Sequence, residues 1–234
     1  MTKGTIYLIP VTLGDPDFAK TIPEYAVEIT RRLRIFTVEE IRSARRYLRL
    51  IDRLFPIDDT IFFELNEHSK AEEVSEFLKP VLEGKDMGIM SEAGLPGIAD
   101  PGSLLVKAAH KKNIRVVPLS GPSSILLSLT ASGMNGQNFR FHGYLPVKPD
   151  QRNNSLRETE KAALTGETQI FIETPYRAQK MFESIIAICQ SETLLCVASD
   201  ITLSTEMIRT LKVSDWKKES IDISGHLVVF LLGK

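Results

Sequence analysis

Cysteine is nearly absent: Cys189 and Cys196 are the only two in 234 residues, both in apolar settings, with no CxxC and no histidine cluster beside them. That excludes a disulfide framework or a thiolate metal site and fits buried thiols in a reducing compartment. No apolar run approaches the roughly 18 residues of a membrane helix. The apolar stretch in MTKGTIYLIP is too short for a signal peptide, so the expectation is a cytoplasmic protein without membrane association. Charge of one sign is also lacking in bulk, the formal net charge being −1, which carries no global signal for nucleic acid or lipid. GxGxxG with a downstream acid, GxxxxGK with Ser or Thr, and GxSxG are all missing. His68, His110, His142 and His226 show no metal-ligand spacing. Hydrolase, kinase and metal-enzyme readings therefore lose weight.

What is present is a loop rich in glycine and proline, SEAGLPGIADPG at residues 91–102, between a short apolar run and a helical pattern. Glycine lets backbone approach a ligand without a Cβ in the way, and proline fixes φ and removes a competing donor. In open α/β sheets ligands bind beyond the carboxyl ends of the strands, where this loop falls. A second feature is local charge. Residues 31–53, RRLRIFTVEEIRSARRYLRLIDR, carry eight arginines against three acids. Arginine suits bidentate contact with phosphate or carboxylate, while pairing with Glu39, Glu40 and Asp52 on a solvated helix face is the competing reading.

Hydrophobic residues make up 43% and charged residues 25% of the chain, as in ordinary globular proteins. Apolar runs at 5–9, 35–38, 60–64, 87–91 and 115–118 read as strands. Helical spacing lies between and after them at 23–32, 39–50, 70–82, 102–111 and 122–130, with Ser69 placed to cap the third and Glu72 three positions on. The alternation predicts a mainly parallel sheet. Small and polar residues at 133–138 interrupt it, so the boundary is placed between domains 1–134 and 135–234. Beyond it, strands are expected at 139–145, 168–173, 193–198, 207–213 and 226–232, with helices at 155–164 and 174–189. The last strands leave little room for crossover helices, so part of that sheet should be antiparallel. The fold class is α/β in two domains, a mainly parallel N-terminal sheet and a mixed C-terminal sheet.

Three more strand-end segments collect ligand-type residues: PVTLGDP from Pro10, LSGPSS ending in Ser123 and Ser124, and IETPYR with Glu173 and Thr174. The two serines open a helix, where a hydroxyl either binds an anion or caps the helix.

Taken in order, IPVTLGDPD, VEEIRSARRYL, SEAGLPGIADPG, VVPLSGPSSILLSLTASGM, RFHGYLPVK and IFIETPYR resemble the tetrapyrrole-methylase superfamily of S-adenosylmethionine-dependent methyltransferases over nearly the whole chain. The branch most similar methylates a ribose 2′-hydroxyl of small-subunit ribosomal RNA. The resemblance implies a ligand cleft between two α/β domains, S-adenosylmethionine as methyl donor, and a homodimer. It also implies donor contacts from Pro10, from Gly94, Leu95, Pro96 and Ile98, from Ser123 and Ser124, from Glu173 and Thr174, and from Ala198, Ser199, Gly225 and His226. Leu95 stands where the superfamily often has aspartate and the ribosomal branch threonine, which leaves donor contact there to the main chain. Ile41 and Leu203 replace a threonine and a basic residue of that branch.

A ribose hydroxyl must lose a proton as it attacks, which calls for a positioned acceptor. Glu40, Glu67 and Glu92 are the candidates because each lies near a strand end, and Arg42 would hold a substrate phosphate. Ribosomal RNA or the small ribosomal subunit is the expected partner. The alternatives are carbon methylation of a tetrapyrrole and a non-catalytic protein that binds the donor.

Overall fold

The computed structural model describes residues 2–65 and 71–234. The expected cap Ser69 and the candidate acid Glu67 lie outside the described residues. The chain divides into two compact units, Met1–Ser123 and Ser124–Lys234.

The first unit alternates strands and helices: β1 Thr5–Leu8, α1 Glu24–Arg32, β2 Ile35–Val38, α2 Ile41–Ile51, β3 Ile61–Glu64, α3 Ala71–Phe77, α4 Lys79–Leu82, β4 Met87–Met90, α5 Gly102–Lys111 and β5 Arg115–Pro118. The strands pair in the order β3-β2-β4-β1-β5, and each described pairing is parallel. Side chains alternate between the two faces of a strand. Along β2, Phe36 and Val38 therefore join the cluster of Val27 on α1 and Tyr47, Leu48 and Ile51 on α2. Ile35 joins the cluster of Val74, Leu78, Leu105 and Ala109 beneath α3, α4 and α5. Covering both faces with helices is what an apolar parallel sheet requires.

The second unit holds α6 Ser124–Ser132, β6 Phe139–Tyr144, α7 Pro149–Leu164, β7 Thr168–Glu173, α8 Pro175–Ile188, β8 Leu194–Ser199, β9 Met207–Lys212, α9 Val213–Trp216 and β10 Val228–Gly233. Its sheet runs β6-β7-β10-β8-β9, with β6 and β7 parallel and the other pairs antiparallel. One face packs Phe171, Val197 and Phe230 against Phe182 of α8 and Trp216 of α9, and the Trp216 indole N–H donates to the Leu195 carbonyl at 2.8 Å. Thr210, paired with Cys196 and so on the face opposite Leu195 and Val197, donates its hydroxyl to the Ser132 carbonyl at 2.8 Å. That contact fixes the end of α6 on this sheet. It is why the units divide at Ser123 and Ser124, ahead of the polar break at 133–138 where the sequence places the boundary.

One helix is longer than its apolar spacing predicts. α7 starts at Pro149, where proline at the first helical position costs no intrahelical bond, and not near residue 155. Its inward face includes Arg152, Thr159 and Glu160, so polar side chains occupy core-facing positions that a hydrophobic pattern passes over. The Glu160 carboxylate accepts from the Gln190 amide and the Thr193 hydroxyl, both at 2.6 Å, which satisfies its buried charge.

Candidate active site

In the first unit three strand-end loops meet. After β1, Val11 exchanges two main-chain hydrogen bonds with Gly94 of the 91–102 loop, at 2.9 and 3.0 Å, so the loops after β1 and β4 are zipped together. Gly94 holds φ at +72°, which favours a residue without Cβ. After β5, Gly121 lies against Pro10: a Cβ there would stand 2.1 Å from the proline Cβ. Tyr47 reaches from α2 and donates to the Pro10 carbonyl at 2.8 Å. Burial pushes the Tyr47 phenol well above its ordinary value, so the hydroxyl stays a donor. Pro10, Gly94 and Gly121 are thereby brought together.

The 91–102 loop is shaped by a residue outside the predicted set. Asp100 accepts from the Gly97 amide at 2.8 Å and the Gly102 amide at 2.6 Å, closing a turn in which Ala99 has φ +62°. Burial raises the Asp100 pKa, and these amide bonds act against the rise. Asp-to-backbone closure two residues on is a common aspartate habit, and the DPG triplet was its sequence signal. Pro96 is buried, Leu95 half-buried and Ile98 exposed.

The carboxylates separate by role. Glu40 is the N-cap of α2: its carboxylate accepts from the Arg42 amide at 2.7 Å, the Ser43 amide at 2.6 Å and the Ser43 hydroxyl at 2.8 Å. The Ser43 hydroxyl and the Arg42 amide are the main causes that hold it below the ordinary glutamate range. A carboxylate so occupied is a weak proton acceptor, and of the three candidate bases Glu40 is the one that caps α2. Replacing Glu40 by alanine should lower Tm by about 2–4 °C, readable by calorimetry; an unchanged Tm would remove the capping role. Glu92 is exposed, and its amide donates to Glu39 Oε2 at 3.4 Å. Burial first, then repulsion from Glu92 and Asp100, raises the Glu39 pKa.

Arg42 does not stand alone. α2 buries Ala44, Tyr47, Leu48 and Ile51 and exposes Arg42, Arg45, Arg46 and Arg49, so four guanidiniums share one face. They line a depression of about 730 Å³ together with Glu40, Ile41, Leu50, Ile57 and Asp58. Among the described residues none of the four is in an ion pair. Arg45 lies over the Phe62 ring at 5.4 Å, and Arg49 donates to the Arg53 carbonyl at 2.6 Å. Three other arginines of the basic run make contacts within the fold: Arg31 bonds the Ile51 carbonyl, Arg34 bonds the Arg31 and Leu33 carbonyls, and Arg32 pairs with Glu28.

In the second unit, strand register gathers the predicted residues at one end of the sheet. Val228 pairs with Glu173 on one side and Ser199 on the other. Glu173 is buried; its carboxylate accepts from the Thr174 amide at 2.8 Å and from Arg177 at 2.6 Å. The Gly225 amide donates to the Pro175 carbonyl at 3.1 Å, tying the loop before β10 to the start of α8. His226 Nδ1 meets Asp200 Oδ2 at 2.6 Å, and the Thr205 hydroxyl donates to the same oxygen at 2.7 Å. Partial burial opposes ionisation of Asp200, yet these hydrogen bonds hold its pKa below the ordinary range. Ala198 and Ser199 are buried on β8 beside this cluster. Ser123 is buried at the junction of the units and Ser124 begins α6.

Comparison with known proteins places this arrangement. The sequence pattern of the Tetrapyrrole (Corrin/Porphyrin) Methylases matches residues 5–216. The ribosomal RNA small subunit methyltransferase I of Escherichia coli O157:H7 is 28% identical over 99% of this chain and 79% of its own length. The protein of that name from Pseudomonas aeruginosa is 29% identical over 100% of this chain and 80% of its own. Among solved structures, the methyltransferase CobJ superposes with a TM-score of 0.64 at 14% identity, over 99% of this chain and 94% of CobJ, a likeness of fold. Among the described residues no helix is long and apolar enough to cross a membrane. The chain belongs to the tetrapyrrole (corrin/porphyrin) methylase family and is a methyltransferase.

Proposed function

We propose that this chain transfers a methyl group from S-adenosylmethionine to a ribose 2′-hydroxyl of small-subunit ribosomal RNA, in the cytoplasm, as a homodimer. The observation that carries the acceptor class is the exposed face of Arg42, Arg45, Arg46 and Arg49, in no ion pair among the described residues and lining a depression of about 730 Å³. Planar guanidiniums along one helix face suit successive phosphates. Relatives named ribosomal RNA small subunit methyltransferase I, aligned over nearly the whole chain, support the same reading.

The close packing of the loops at Pro10, Gly94 and Gly121 supports a donor site in the first unit. In the first unit Pro10, Gly94, Leu95, Pro96, Ile98 and Ser123 would hold it, with main chain serving where Leu95 has no polar side chain. In the second, Ser124, Glu173, Thr174, Ala198, Ser199, Gly225 and His226 would contribute. When bound, the sulfonium supplies an electrophilic methyl group. The chain's own task is to align the hydroxyl, exclude water and take up the proton. Arg42 holds a substrate phosphate, and Glu92 stands at the edge of the donor loop. Exposed Leu126, Phe139, Tyr144, Val147 and Tyr176 in the second unit supply apolar surface for a dimer contact.

Labelled donor incubated with undermethylated small-subunit ribosomal RNA should yield label that maps to a ribose after nuclease digestion. Incorporation into a porphyrinoid in place of RNA, or into neither, would overturn the proposal.

A further inference from the structure

We propose that Glu39, and not its neighbour Glu40, takes the proton from the attacking hydroxyl, an assignment that rests on a ribose as the methyl acceptor. Glu39 follows β2 directly, and the register of Val38 with Met90 sets it beside the start of the 91–102 loop. It is therefore flanked by the two features the reaction needs. On one side is the loop proposed to hold the donor, whose Glu92 amide contacts its carboxylate. On the other, α2 begins at Ile41 and carries the arginine face.

Of the other acids nearby, Glu92 is exposed at the loop surface, and Glu40 and Asp100 are engaged elsewhere. Both Glu40 oxygens cap α2, and both Asp100 oxygens close the 97–102 turn. Glu39 receives one long amide contact at 3.4 Å and forms no ion pair among the described residues, so most of its acceptor capacity is unspent. It helps line a small pocket with Thr37, Leu65, Ile89, Met90 and Asp100, walls that are largely apolar. The charged groups that face it are Glu92 and Asp100, both acids of the loop after β4. They and partial burial favour its protonated form and make it a better base once ionised.

In the step itself the hydroxyl O–H bond breaks and its proton goes to a Glu39 oxygen. A C–O bond forms to the methyl carbon as the C–S bond breaks, and the bonding pair stays on sulfur, which becomes a neutral thioether. The carboxyl then returns its proton to water.

The test compares wild type with Glu39→Gln and Glu39→Asp on undermethylated small-subunit ribosomal RNA. Glu39→Gln should lower kcat by about 10²–10³-fold, with donor Kd by calorimetry and RNA Kd within threefold of wild type, and Glu39→Asp should recover part of the rate. The wild-type rate should rise with pH through an acid limb above the ordinary glutamate range, because only the ionised carboxylate accepts a proton. That limb should vanish in Glu39→Gln. A Glu39→Gln enzyme within threefold of wild-type kcat, or one whose loss follows donor or RNA affinity, overturns the assignment and leaves the RNA reading intact. A wild type that methylates a base atom or no RNA at all overturns the reading of the acceptor, and the assignment with it.

Discussion

Alanine at Gly121 should cost this protein both stability and donor affinity. The new Cβ would lie 2.1 Å from Pro10 Cβ and 2.7 Å from its Cγ, and proline cannot swing aside as a flexible side chain does. One of the two loops must retreat. Overpacking of this kind costs about 1–3 kcal/mol, which for a chain of this size lowers Tm by roughly 2–12 °C. The functional effect should be larger. Pro10 is held from behind by the Tyr47 hydroxyl, and Val11 next to it is bridged to Gly94, so displacement at residue 10 propagates into the 91–102 loop. Donor affinity should fall about tenfold or more, since misplacement near 1 Å at a site of this type costs on the order of 10²-fold in rate. Calorimetric titration with S-adenosylmethionine, beside a thermal melt, reads both quantities. Wild-type values of each would mean that the three loops do not act as one platform.

The second large effect concerns the arginine face. With Arg42, Arg45, Arg46 and Arg49 all changed to glutamine, Kd for small-subunit RNA should rise about 100-fold or more at 0.15 M salt. The plot of log affinity against log salt should flatten by about three units, because each single-strand phosphate contact contributes about 0.7 to that slope. Ala44, Tyr47, Leu48 and Ile51 carry the packing of α2, and the arginines lie on the other side, so the helix should fold as before. Donor affinity should therefore stay within twofold. An unchanged salt slope would show that the face is solvated surface and that RNA binds elsewhere.

Much of this architecture is legible in the sequence, for reasons that can be named. The strands at 35–38, 115–118 and 168–173 coincide with β2, β5 and β7, because short apolar or β-branched runs bounded by polar or turn residues have few other readings. The late antiparallel strands follow from the short connections between them. The start of α7 is not legible, since its core-facing Arg152, Thr159 and Glu160 carry no apolar period. At the site, glycine and proline announce the loops, but not their closure by Asp100 or the support of Pro10 by Tyr47. Those contacts join residues far apart in the chain. Glu39 and Glu40 are equivalent on paper. Only the extended backbone of Glu40, φ −141° and ψ 122°, turns its carboxylate onto the first amides of α2 and leaves Glu39 as the freer acid.

The strand order of the first sheet bears on how the protein is made. β1 sits between β4 and β5, with Ile6 paired to Met87 on one side and Val116 on the other. The earliest strand of the chain can pair with β4 first but cannot complete its pairing until Pro118, the end of β5, has left the ribosome. At about 5–20 residues per second that wait is on the order of ten seconds. Over that interval β1 lacks first both partners and then β5 alone, and these distant contacts close slowly. Pairing with β4 brings Val11 to Gly94, and the arrival of β5 then seats Gly121 on Pro10. A nascent chain halted before β5 would hold Glu39, Glu40, Glu92 and the four arginines of α2 and still lack the seat of Gly121 on Pro10.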